Sequence, residues 1–158
     1  MKNITLGPFR VTPEGGLILR DPALRPQLRF AWRGRRCEAE LVGGGLRLGA
    51  LAGSIPFTAE PAGTHRPGVF AALQDLPASL PAGWRLSLLA DHRIRLEAGQ
   101  PMAQPATAIA LVSALANFVL TLEPYLSRLE AVGVRRPATA SVAASGAASP
   151  AGAGSART

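Results

Sequence analysis

The sequence predicts an α+β fold: an antiparallel sheet of hairpins, with a short helix and a long C-terminal helix packed on one face. Three observations predict it. Apolar and polar residues alternate in several short runs, the signature of strands with one buried face. One long segment changes to helical spacing. Gly and Pro, 17 and 14 of 158 residues, punctuate the chain with turns and argue against an all-helical bundle.

The elements follow in order. Phe9 and Val11, the turn residues Thr12 to Gly16, and Leu17 to Leu19 form a first hairpin. Asp21 to Pro26 holds two prolines and reads as a loop. Leu28, Phe30 and Trp32 alternate with Arg29, Ala31 and Arg33, Gly34-Arg35 turns, and Cys37, Ala39 and Leu41 alternate with Glu38 and Glu40. Gly43-Gly44-Gly45 ends this second hairpin, and Leu46, Leu48 and Ala50 begin a further strand that closes at Gly53-Ser54-Ile55-Pro56. Residues 60–66 read as a loop. Pro67 to Leu76 reads as a short helix with Val69, Phe70, Leu73 and Leu76 on one side, stopped by Pro77 and Pro81. Trp84, Leu86 and Leu88, a turn at Asp91-His92, then Ile94 and Leu96 form a third hairpin.

The last helix runs from near Pro105 to about Val132. Leu111, Leu115, Phe118, Leu122 and Leu129 lie on one seam, suited to the core or to a dimer interface, with core favoured because the sheet needs a cover. Residues 106–122 carry no charge, but the run is shorter than the ~20 residues of a typical span. Ser113, Asn117 and Thr121 also place a polar stripe on it, so a packed helix is expected and no membrane span. Pro124 predicts a kink or break. The segment 137–158 is almost all Ala, Ser, Gly, Thr and Pro, too poor in apolar surface to offset its ordering entropy. One domain over 1–136 with a disordered tail over 137–158 is the expected organisation.

Composition narrows the chemistry. The single Cys37 excludes an internal disulfide framework and a multi-cysteine zinc site, and His65 and His92 are too few for a histidine-rich metal centre. No metal and no cofactor is expected. Cys37 alternates with core positions and reads as a buried thiol; His92 reads as a polar turn residue, and no triad or acid–base pair assembles around either. Gly43 to Gly45 lacks the Gly-Lys-Ser/Thr ending of a phosphate loop. No catalytic residue is expected.

The formal net charge is +7, and 16 of the 17 basic residues are Arg, a skew that also arises from base composition. Arg20, Arg25, Arg29, Arg33, Arg35 and Arg36 lie within 17 residues, opposed only by Asp21. Strand alternation sets these arginines on a solvated face opposite Phe30 and Trp32. Arg25, Arg29, Arg33, Arg35 and Arg36 are therefore candidate partner-binding residues for an acidic protein or, as the alternative, a nucleic acid. The apposition of arginines and aromatics that base stacking needs is absent from this arrangement.

The order of motifs from Leu28 to Val132 resembles the type III secretion chaperone-like fold, shared with the YbjN-like family. It is carried by the paired strands through Trp32 and Leu41, LRLGALAGSIPF at 46–57, VFAALQDL at 69–76, WRLSLLADHRIRLEA at 84–98 and ALVSALANFVLTLEPYLSRL at 110–129. The resemblance implies a non-catalytic protein, typically a homodimer, that holds a segment of a protein partner. A cytoplasmic location is the default expectation, because Met1 to Arg10 lacks a long apolar run and holds Gly7-Pro8. This chain departs from secretion chaperones in beginning with a hairpin rather than a helix, and in being basic rather than acidic.

Overall fold

The computed structural model describes residues 2–59 and 66–137. The expected loop through His65, and the tail after Pro137, lie outside the described residues.

A small three-stranded sheet opens the chain: β1 (Thr5–Leu6), β2 (Phe9–Val11) and β3 (Leu17–Leu19), in sequence order. A five-stranded antiparallel sheet follows, built from β4 (Gln27–Trp32), β5 (Arg35–Val42), β6 (Gly45–Ser54), β7 (Trp84–Leu88) and β8 (Arg93–Pro101). Its order is β4-β5-β6-β8-β7, so β4 and β7 are the edges. The two helices are α1 (Arg66–Asp75), continued by a 3-10 turn at Leu76–Ser79, and α2 (Ala108–Ala131). The fold is thus mixed α+β, built on antiparallel hairpins and a long C-terminal helix.

The alternation read from the sequence sets the register. Leu28, Phe30 and Trp32 pair with Ala39, Cys37 and Arg35, which places all six on one face of the β4–β5 hairpin. On that inner side Leu46, Leu48, Ala50, Ile94 and Leu96 join Leu111, Phe118, Leu122, Leu126 and Leu129 of α2 in one buried core. Trp84 stacks on Phe118 with ring centroids 5.0 Å apart. Tyr125 donates to the Ser79 carbonyl at 2.7 Å, tying α2 to the 3-10 turn.

The small sheet caps the start of α2. Leu17 donates to the Ala106 carbonyl and Ala108 to that of Gly15, at 2.9 and 2.8 Å. Thr107 is the N-cap, accepting from the Ala110 amide at 3.2 Å.

Two elements differ from expectation. Phe70 is exposed, because α1 touches the core through Val69 on a narrow face, and the Arg66 guanidinium lies over its ring instead. α2 runs unbroken through Pro124. The hydrogen bond that proline removes would have ended on the Leu120 carbonyl, on the exposed side of the helix.

By length and composition α2 is apolar enough to cross a membrane, yet one face of it seals the sheet. Only 39% of its most apolar window is buried, so a second apolar face remains outside.

Candidate partner-binding surface

Three features surround the sheet: a charged anchor under the β4–β5 turn, a polar face on the uncovered side, and an apolar stripe on the back of α2.

The anchor begins with a two-residue turn. Arg33 and Gly34 have φ of 48° and 75°, the left-handed pair that reverses a hairpin without splaying its strands. The turn aims three side chains at the C-terminal half of α2. The Trp32 indole donates to one Glu123 carboxylate oxygen at 2.9 Å, and Arg33 reaches the other at 2.7 Å. Arg33 also pairs with Glu130 at 3.1 Å. Arg35 is 1% exposed, donating to the Ala52 and Arg33 carbonyls at 3.2 and 3.0 Å and pairing with Glu130. Arg136 adds a third cation at 3.2 Å from Glu130. The hydrogen bond from Arg35, together with those cations, holds the Glu130 carboxyl below its ordinary range.

This overturns the placement of Arg33 and Arg35 on a solvated face. Arg35 shares the parity of Cys37 and Ala39, so the pleat that buries the thiol also turns Arg35 inward. Arg33 sits in the turn, half-buried, and is spent on α2.

On the opposite side of the sheet a second network ties strands together. Arg85 of β7 pairs with Glu97 of β8 at 2.7 Å, Glu97 with Arg95 at 2.9 Å, and Arg95 with Glu38 of β5. Gln27 of β4 donates to the second Glu38 oxygen at 2.9 Å. Burial pushes the Glu97 carboxyl up, but the bonds from Arg85 and Arg95 outweigh it and leave the group lowered. Arg95 crosses the central strand β6 at Gly49, where a Cβ would stand 2.9 Å from its guanidinium. The missing side chain is what lets β8 reach β5.

Beside that bridge lies a cavity of about 540 Å³, lined by Arg29, Arg36, Glu38, Gly49, Leu51 and Arg95 among others. Arg29 and Arg36 are exposed and have no acidic partner among the described residues. Arg25 lies in a separate hollow with Arg20, Arg29 and the Gly7-Pro8 turn. The six arginines of the basic run are therefore dispersed: two grip α2, two flank the cavity, and two lie toward the small sheet.

Of the seam residues, Leu111, Phe118, Leu122 and Leu129 are buried and Leu115 partly so. A second stripe, which the sequence reading passed over, runs along the other side of α2. Ile109, Val112 and Leu120 are 80%, 51% and 68% exposed, and with Ala116 they recur at spacings of three and four. The signal was present in the uncharged run 106–122, which holds more apolar residues than one seam needs.

Burial raises the Cys37 thiol to about 11, far from a reactive thiolate. His92 sits at φ 63° in the β7–β8 turn, 6.2 Å edge-on from Phe57. Among the described residues no three His, Cys, Asp or Glu side chains come together to hold a metal ion.

No family model matches the chain, and no curated protein matches it. Among solved structures it is similar to a chain of the heterodimeric complex ExoU-SpcU from the type III secretion system of Pseudomonas aeruginosa, with TM-score 0.48 and 19% identity over 73% of this chain and 88% of that one. It is also similar to YbjN from E. coli, with TM-score 0.49 and 14% identity over 78% and 88%. A chain of the HopA1-SchA chaperone–effector complex has TM-score 0.40 and 14% identity over 75% and 84%. The similarity concerns overall shape alone.

Proposed function

We propose that the chain is a non-catalytic protein-binding domain, chaperone-like or adaptor in kind, holding a segment of a protein partner in a cytoplasmic setting. The observation that supports this is the stripe Ile109, Val112, Ala116 and Leu120. Its residues contribute nothing to the core, yet they form a continuous apolar surface on a rigid helix, the kind of face that partners cover. Cys37, the chain's single thiol, is buried and protonated and belongs to the core. The nucleic-acid alternative has no support in the geometry, since Arg33 and Arg35 are consumed by Glu123 and Glu130.

Size exclusion with light scattering, and copurification from the native host, test the reading. A stoichiometric protein partner or a homodimer is expected, lost in Leu120→Glu while the thermal midpoint stays within about 2 °C of the parent, as for an exposed site. A strictly monomeric protein with no partner, or a complex indifferent to Leu120→Glu, would overturn it.

A further inference from the structure

The uncovered side of the sheet carries a charge imbalance that its own register explains. Arg29 stands directly opposite Glu38, the natural cross-strand partner. Yet one Glu38 oxygen is held by Arg95 and the other by Gln27, so its carboxylate is turned away along the network. Arg36 stands opposite Ala31 on β4, and the β5–β6 register puts Leu51 beside it on β6. Neither neighbour can neutralise it. The two guanidiniums, without an acidic partner among the described residues, are diagonal cross-strand neighbours, about 7–8 Å apart at their backbones. Both line the same cavity, together with Leu51 and with Gly49, over which the Arg95 guanidinium lies.

We propose that Arg29 and Arg36 form a carboxylate-binding cleft that receives an extended acidic segment of a protein partner, with acidic residues at alternate positions. This rests on the protein-binding reading above and names the chemistry of the segment held. Alternate residues of an extended chain lie about 6.6 Å apart on one side, which matches the diagonal spacing of the two arginines. Each guanidinium then takes one carboxylate in a charge-assisted bond, and the intervening side chain points away from the sheet.

A nucleic acid fits this face less well. Glu38, Glu40 and Glu97 interleave with the arginines and interrupt any track of phosphates. The chain's own residues 138–158 contain no Asp or Glu and cannot supply the acidic side chains.

The test uses the full chain and a fluorescein-labelled ten-residue peptide in which Glu alternates with Leu, read by anisotropy at low salt. The Gln-for-Glu peptide and an oligothymidine of equal length serve as probes of chemistry. Arg29→Gln/Arg36→Gln should weaken Glu-peptide binding at least ~10-fold, as loss of charged hydrogen bonds does. Arg10→Gln, on the small sheet, should change it by less than about 2-fold. Unchanged binding by the double variant, equal affinity for the Gln peptide, or tighter binding of the oligothymidine would each overturn the proposal. The protein-binding reading fails separately: a partner retained by the double variant but released by Leu120→Glu leaves that reading intact and removes the acidic cleft.

Discussion

Glu130→Gln isolates the anchor between the β4–β5 turn and α2. The substitution keeps the side-chain shape and one oxygen acceptor, and removes only the charge. In the parent, Glu130 is the common partner of Arg33, Arg35 and Arg136. Arg35 is fully buried, and its two carbonyl acceptors satisfy hydrogen bonds without compensating its charge. Breaking a buried pair by removing one partner costs about 3–5 kcal/mol. Glu130 is itself 22% exposed, and glutamine still accepts from Arg35, so the lower end applies, about 3 kcal/mol. At this chain length that corresponds to roughly 10 °C in Tm. Urea unfolding followed by circular dichroism gives the free energy directly. Arg35→Met/Glu130→Leu should recover most of the loss, because a packed apolar pair replaces a charge pair at little cost. A Glu130→Gln protein within about 0.5 kcal/mol of the parent, the range of ordinary surface changes, would refute the claim that the anchor holds α2 to the sheet.

Other expectations follow from the same geometry. Glu97 and Glu130 are both lowered in the fold, so the stability they add is complete above the unfolded carboxylate value near pH 4.3. It is lost as pH falls through their lower folded values; urea midpoints should be flat from about pH 5 to 7 and decline below about pH 4, and a midpoint that rises on acidification would contradict this. Leu122→Ala should cost about 2–5 kcal/mol in urea unfolding, since the side chain is fully buried, whereas Leu120→Ser on the outer stripe should stay within about 0.5 kcal/mol. Cys37 should react with a thiol reagent only when the fold opens, so its labelling rate at pH 8 should track urea concentration; rapid labelling without denaturant would place the thiol outside the core. Gly53→Ala should destabilise by about 1–3 kcal/mol, because a Cβ there would strike the Arg135 carbonyl and the Val134 side chain, the former fixed by pairing with Ser54.

Much of this architecture was legible from spacing alone. Period-two alternation located both arms of the second and third hairpins, and the turn residues separated them, because a half-buried sheet leaves its pleat in the sequence; the two-residue strand Thr5–Leu6 was too short to leave one. Seam residues such as Leu122 were equally visible, since one helix must cover the sheet. Arg35 was misread because its charge outweighed its parity, although the count that places Cys37 inward places Arg35 inward too. The carboxylate that satisfies it, Glu130, is 95 residues away, and no local pattern announces that pairing. The Arg95–Glu38 bridge was illegible for the same reason: it depends on Gly49 lying between them, which follows only from the register of three strands. Ile109, Val112 and Leu120 were visible as apolar, but only the packing shows which face of α2 the sheet uses.

The pairing of Arg135 with Ser54 fastens the chain beyond α2 to the sheet. After α2 ends at Ala131, the chain turns at Gly133, whose φ is 98°, and lays Val134 against the side-chain-free backbone of Gly53. Arg135 and Ser54 then exchange hydrogen bonds at 3.0 Å in both directions, and Arg136 reaches back to Glu130. A chain cut at the helix end would keep every helical turn and lose this clasp, together with the buried Val134. A chain cut after Pro137 would keep it. A truncation series across 131–137 should therefore show its stability step at the loss of the last backbone pair with β6.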